Sequence, residues 1–159
     1  MKHIRTKKTT GTKNVRRSIP QGLRPGSVCI FLKFDTGTLT YHYHTMSVVN
    51  VKVSHIRPSG FENLEEWISD PKNVYIGRKG IVFVGAQRFP KDNSPWANPF
   101  KVGRHGTRED VLEKYKKYIT SNPELMARLP ELRGKTLGCW CKPEKCHGDI
   151  LLELLAGLV

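Results

Sequence analysis

Apolar positions change their spacing twice along this chain. From Val28 to Ile56 they crowd into short runs: Val28-Cys-Ile-Phe-Leu-Lys-Phe34, then Leu39 to His44, then Ser47 to Ile56 with Val49, Val51 and Val53 on one face. Short β-branched and aromatic runs of this kind predict strands. Asp35-Thr-Gly-Thr38 is a turn in which Gly37 supplies the permissive φ. Three sequential strands with short connections predict an antiparallel β meander. Ser59-Gly-Phe-Glu62 fits a capping box opening a short helix through Leu64, Trp67 and Ile68, and Asp70-Pro71 ends it.

Two further β runs follow, Val74-Tyr-Ile76 and Ile81-Val-Phe-Val84, split by Gly77-Arg78-Lys79-Gly80. Ala86 to Pro95 is polar and predicts an irregular, mobile loop. The spacing then turns helical. Thr107 caps a helix with Asp110 at its third position, and Val111, Leu112, Tyr115, Tyr118 and Ile119 form its buried stripe. Asn122-Pro123 starts a second helix, which Pro130 breaks and Gly134 ends. Thr136 to Lys142 is a buried strand, stopped by Pro143. Ile150, Leu151, Leu154, Leu155 and Leu158 recur at helical spacing, with Gly157 as terminator. The order β-β-α-α-β-α predicts an α/β sheet with helices on its faces. Three segments result: a basic arm over 1–27, the meander and short helix over 28–70, and an α/β domain over 71–159.

Charge sharpens the division. The formal net charge is +13, and eleven of the 27 Lys and Arg residues precede Glu62, where Asp35 is the sole acid. The arm carries Lys2, Arg5, Lys7, Lys8, Lys13, Arg16, Arg17 and Arg24 with no acid and few large apolar residues. Such a segment buries too little surface to offset its ordering entropy. Its spaced cations are suited to contacting nucleic-acid phosphates without reading bases. The alternatives are a solubilising tail, or an import signal built on the pairs Lys7-Lys8 and Arg16-Arg17. No apolar run is long enough to span a bilayer, and the basic N-terminus lacks the apolar core of a signal peptide. The expectation is an intracellular protein of cytoplasm or nucleus, or one packaged in a virion. A homodimer paired through a strand edge is the default assembly.

Candidate chemistry concentrates late in the chain. Three of the four cysteines and one of the six histidines lie in Cys139-Trp-Cys-Lys-Pro-Glu-Lys-Cys-His-Gly-Asp149. Strand alternation sends Cys139 and Cys141 one way and Trp140 the other. Cys146-His147-Gly148-Asp149 falls where loop becomes the first turn of a helix, a place with free N–H groups and a positive helix end. Four readings stand. Cys139, Cys141, Cys146 and His147 could ligate zinc, although Cys-x-Cys and an adjacent Cys-His pair are tight spacings. Cys146 beside His147, with Asp149 as orienting group, could be a catalytic nucleophile acting on a nucleotide or nucleotide-linked substrate. The helix N-terminus at Gly148, joined by Arg78 and Arg108, could hold a phosphate while Trp96 and Asn98 fix a planar, nucleotide-like group. The cysteines could also be small buried hydrophobes, as Cys29 is expected to be. Tyr41-His42-Tyr43-His44 places two histidines on one strand face, without a third ligand in sequence to make a metal site.

The rear half resembles the family called domain of unknown function 4326, common in phages and large DNA viruses. The resemblance rests on Tyr75-Ile76-Gly77-Arg78, on Trp96, Asn98, Pro99 and Phe100, on Arg108, and on Cys139-Trp140-Cys141, Pro143 and Cys146-His147-Gly148-Asp149. Ala97 stands where the family usually has glycine, and the stretch from Arg78 to Trp96 is longer. The resemblance covers about 73–155. It implies a Rossmann-like α/β fold with a ligand site at the Cys-His turn, and it fits a virion or assembly protein. It brings no activity. The leading expectation is a basic, nucleic-acid-associated protein on an α/β scaffold that binds a phosphate-bearing ligand; an enzyme and a structural zinc module are the alternatives.

Overall fold

The computed structural model describes the backbone of residues 28–35 and 38–158, and side chains from Met46 to Leu158. The basic arm, with all eight of its cations, lies outside the described residues, as do the side chains of Cys29 and of Tyr41 to His44. The architecture is mixed α/β with small sheets. β1 (Val28–Asp35) and β2 (Thr38–Thr45) form an antiparallel hairpin, with Val28 opposite Thr45. β3 (Ser47–Asn50), β7 (Thr136–Cys139) and β4 (Asn73–Tyr75) form a parallel sheet in the order β3-β7-β4. β5 (Val82–Val84) and β6 (Gln87–Phe89) make a second antiparallel hairpin.

The meander is thereby corrected. Its first two strands pair as expected, but the third turns away and pairs in parallel with β7, Val48 opposite Leu137. β3 also ends at Asn50; Val53–Ile56 is a helical turn, α1, that buries Ile56. Val48 packs into one core and Val49 into the other, so β3 is covered on both faces, as a strand of a parallel sheet flanked by helices is and a strand of a lone hairpin is not. The Ser59 cap is corrected as well. Ser59 ends a 3-10 turn closed by Gly60 at φ +93°, and Asn63 caps α2 (Leu64–Ser69) by accepting the amide of Glu66 at 2.9 Å. Asn63-x-x-Glu66 carries the same signature four residues on. Within the stretch expected to be irregular, Gln87–Phe89 is strand paired to β5.

β7 is the centre of the packing because its residues alternate between two cores. Leu137 and Cys139 enter one with Ile76, Trp96, Tyr115, Ile119, Leu151 and Leu155. These come largely from α3 (Arg108–Thr120) and α5 (His147–Ala156), with α4 (Pro123–Arg128) adding Leu125. The opposite face packs Trp140 with Val51, Ile56, Leu64, Trp67 and Tyr75 beneath α1 and α2. Gly138 sits between: a Cβ there would lie 2.4 Å from the Trp67 ring, so only glycine lets α2 close on the sheet. The α3 capping box stands as expected, Thr107 Oγ1 accepting the Asp110 amide and Asp110 returning a carboxylate to the Thr107 amide. Among the described residues no helix is long and apolar enough to cross a membrane.

Candidate metal centre and anion cleft

The three parallel strands end at the same edge of their sheet. Asn50 is followed by Val51 and Lys52, Tyr75 by Ile76, Gly77 and Arg78, and Cys139 by the turn Trp140 to Lys145. The carboxyl edge of an open parallel sheet, where connections diverge, is the usual place for a ligand crevice. A cleft of about 710 Å3 opens here, lined by residues from all three strand ends, from the 98–102 loop and from α3.

At its floor lies the cysteine cluster. Cys139 Sγ is 3.4 Å from Cys141 Sγ, and 3.7 Å from His147 Nδ1; Cys146 Sγ is 3.8 Å from the same nitrogen. All four donor atoms fall within 4.8 Å of one another. Two local rules produce this. Residues 139 and 141 share a side because they flank one position of extended chain. Cys146 is the extended N-cap of α5 (φ −124°, ψ 145°), so its side chain does not follow the helical rotation that would separate it from His147. The remaining imidazole nitrogen, Nε2, donates to the Ile76 carbonyl at 2.9 Å. A carbonyl only accepts, so Nε2 carries a proton, and Nδ1 is the nitrogen turned toward the sulfurs. Tyr115 stacks edge-on to the ring at 5.1 Å.

Three sulfurs confined together cannot all ionise unaided. Hydrogen bonds from Cys139, then Cys146 and His147, push the Cys141 thiol well below its usual range. The neighbouring Cys139 and Cys141 sulfurs, aided by burial, push Cys146 up. Burial disfavours charge on His147, but the Cys139 and Cys141 sulfurs outweigh it and raise the imidazole to about 9. A cation among the donors removes this conflict by letting every thiol deprotonate. Cys139, Cys141, Cys146 and His147 together could hold a metal ion. A tetrahedron with metal–sulfur bonds of about 2.3 Å and metal–nitrogen bonds of about 2.0 Å has edges of about 3.8 Å between sulfurs and about 3.5 Å between sulfur and nitrogen. The two sulfur–nitrogen distances, 3.7 and 3.8 Å, lie close to that figure, the Cys139–Cys141 separation of 3.4 Å is shorter, and the whole set falls within 4.8 Å.

Above the floor, the cleft is basic. Lys52, Arg78, Lys101, Arg108, Lys142 and Lys145 line it against one acid, Glu144. Arg108 pairs with Glu144 at 2.5 Å, Lys142 with Asp149 at 2.7 Å, and Lys145 with Glu109 at 3.5 Å. Lys52, Arg78 and Lys101 pair with no carboxylate among the described residues. The Arg78 guanidinium is held by two backbone carbonyls: Nε donates to Asn98 O at 2.9 Å and Nη2 to Phe100 O at 2.7 Å. That leaves Nη1 and one Nη2 hydrogen for another acceptor. Asn98 is itself buried, donating to Val111 O at 3.3 Å and accepting the Phe100 amide at 2.8 Å.

The sequence candidates therefore separate. Arg78, Asn98, Arg108 and His147 meet at one cleft, with Cys139 and Cys141. Trp96 does not join them: it is buried in the core, its carbonyl accepting the Tyr115 hydroxyl at 2.7 Å, and it borders a separate depression. Gly148 faces the core too, where a Cβ would stand 2.7 Å from Ile76 Cδ1 and 2.9 Å from Val48. Of the nucleophile set, the Cys146 thiol is sealed at 1 % exposure. Asp149 accepts the Cys146 amide at 3.0 Å and the Lys142 ammonium, so the Ile76 carbonyl, not Asp149, orients the imidazole. Sequence reasoning missed Lys52 and Lys101, which border the cleft, and Asn50, which donates to Lys142 O and accepts the Lys52 amide at 2.9 Å. The signal for Asn50 was a polar residue interrupting a valine run.

Fold and site thus define a small α/β protein with a Cys3His cluster at the floor of a basic cleft. The chain belongs to the family described as domain of unknown function (DUF4326), whose model matches residues 59–157. It is similar to the uncharacterized protein R718 of Acanthamoeba polyphaga mimivirus, 42% identical over 90 residues, which are 52% of this chain and 65% of that protein. It is also similar to an uncharacterized 12.4 kDa protein in the nrdA-td intergenic region of Enterobacteria phage T4, 43% identical over 65 residues, 38% of this chain and 58% of that protein. The chain thus spans less than two thirds of either relative. No solved structure matches it.

Proposed function

We propose that this chain is a nucleic-acid-associated protein whose Rossmann-like α/β unit binds a phosphate-bearing ligand in the cleft at the carboxyl edge of its sheet. One observation carries the reading: the Arg78 guanidinium, fixed by the Asn98 and Phe100 carbonyls, faces the cleft with no carboxylate partner among the described residues. A positioned, partly buried cation with free donors is the requirement for charge-assisted recognition of phosphate. Lys52 and Lys101 add unpaired charge on the same cleft. The basic arm supplies non-specific phosphate contacts to a polynucleotide. Calorimetric titration with inorganic phosphate and pyrophosphate tests the cleft. Lys52→Gln and Lys101→Gln, both at exposed positions, should each weaken binding several-fold, and Arg78→Gln should abolish it. Equal binding by Lys52→Gln, Lys101→Gln and the parent chain would defeat this reading.

The cluster favours a second reading, compatible with the first: Cys139, Cys141, Cys146 and His147 hold one zinc ion. Thiolate and imidazole are the donors zinc prefers, the four donor atoms converge within 4.8 Å, and the Nε2 hydrogen bond to the Ile76 carbonyl is the kind of contact that orients a ligating histidine. Four protein donors close the coordination shell, which makes the role structural. When bound, the ion would tie the end of β7 to the start of α5 and so brace the cleft floor. Elemental analysis of chain purified without added metal should find one zinc per molecule.

A further inference from the structure

The cleft is basic, yet it is also bordered by apolar side chains left in water. Exposed large hydrophobics are few among the described residues: Ile81 at 46 %, Phe83 at 65 %, Val102 at 53 %, Tyr118 at 38 % and Leu158 at 42 %. Two of them, Ile81 and Val102, lie on the cleft wall. They arrive from distant segments, Ile81 leading into β5 and Val102 from the loop before α3. Each stands beside an unpaired cation of the same cleft, Ile81 three residues from Arg78 and Val102 next to Lys101. The half-buried Phe100 ring completes this apolar side. Isolated exposed apolar residues need no explanation, but apolar residues gathered with convergent polar groups in one crevice are the composition of a ligand site.

We propose that the ligand of the cleft is a nucleotide, its phosphate on Arg78 and Lys101 and its base against Ile81, Val102 and Phe100. The inference rests on the phosphate-binding reading above and adds the base. Bare phosphate would leave the apolar wall in water, and a neutral apolar ligand would leave three cations without a counter-charge. A nucleotide satisfies both halves, and a cleft of about 710 Å3 has the size of sites for such ligands. The same chemistry is offered by a free mononucleotide and by the 5′-phosphorylated end of a strand.

The test uses the full chain and calorimetry with four probes: inorganic phosphate, ribose 5-phosphate, adenosine 5′-monophosphate, and a short oligonucleotide with or without its 5′-phosphate. The mononucleotide should bind about tenfold tighter than ribose 5-phosphate, the base being the only difference. Ile81→Ser with Val102→Ser, a pair of exposed positions whose folding is checked by circular dichroism, should erase that margin and leave ribose 5-phosphate within about twofold of the parent. Mononucleotide and ribose 5-phosphate binding equally tightly to the parent would overturn the base contact and spare the phosphate reading. Failure of every phosphate-bearing probe would overturn both. A margin that survives in the double variant would also overturn the assignment of these residues. Tighter binding of the 5′-phosphorylated oligonucleotide than of either the mononucleotide or its 5′-hydroxyl counterpart would support the inference with a strand end as the source, and a preference for the mononucleotide would support it with the free nucleotide.

Discussion

Zinc occupancy should set the thermal stability of this chain. The perturbation is removal of metal with a chelator, followed by melts at buffered free zinc concentrations. Because the four candidate donors span the end of β7, the following turn and the start of α5, they converge only in the folded chain. A ligand specific to the native state adds about 1.4 kcal/mol of stability for each tenfold rise above its dissociation constant. For a unit of roughly 110 residues, each kcal/mol raises Tm by about 4–6 °C, so each decade of zinc should add about 6–8 °C. The unfolded chain subtracts from this slope, since Cys139 to His147 are close enough in sequence to retain some ion. It lacks the Ile76 carbonyl that holds the imidazole at 2.9 Å, so native binding stays tighter. Circular dichroism at 222 nm is the assay. Cys146→Ser should lose the slope, and magnesium should produce none, because thiolate donors do not suit a hard cation. A Tm constant to within about a degree over a hundredfold range of zinc would refute the reasoning.

Three further outcomes follow from particular contacts. Gly138→Ala should cost about 2–3 kcal/mol in urea unfolding, because the new Cβ would lie 2.4 Å from Trp67 and 2.5 Å from Val51, both buried and unable to retreat. Burial, partly opposed by the hydrogen bond from Trp140, raises the Tyr75 phenol from 10.0 to about 12. The folded state thus favours the neutral phenol, so the stability this confers is whole below pH 10 and is lost as pH climbs through about 12. Alkaline melts should show this fall, and Tyr75→Phe should flatten it while giving up the bonds to Trp140 and to Arg78 O. Deleting residues 1–26 should remove most affinity for duplex DNA and most of its salt dependence; an unchanged slope of log affinity against log salt would rule the arm out.

Much of the site was legible without coordinates because it is local. The strand at Thr136, the passage from loop to helix at Cys146 to Asp149, and the helical stripe through Leu151 and Leu155 each depend on neighbours a few residues away. The meeting of Arg78, Asn98 and Arg108 with the Cys-His turn is one of the four readings of the sequence, and Arg78, Asn98, Arg108 and His147 do share a cleft. One expectation fails where distance along the chain matters. Trp96 and Asn98 were grouped, yet one enters the core and the other the cleft, a division set by what α3 places opposite each. The Cys-x-Cys and Cys-His spacings are tight, yet the extended geometry of the Cys146 N-cap lets all four donors fall within 4.8 Å.

Local pattern and charge by themselves determined the α/β character of the rear, the capped helices, the basic front and the concentration of sulfur and imidazole near the end. Tertiary structure alone decided that Ser47–Asn50 leaves the hairpin to lie parallel to β7, that Lys52 thereby borders the cleft, and that Ile76 supplies the carbonyl for His147. The physical reason is that helix periodicity, caps and turns are settled by interactions within a few residues. The partner of a strand depends on which distant apolar surfaces can be covered together, and no short window of sequence contains that information.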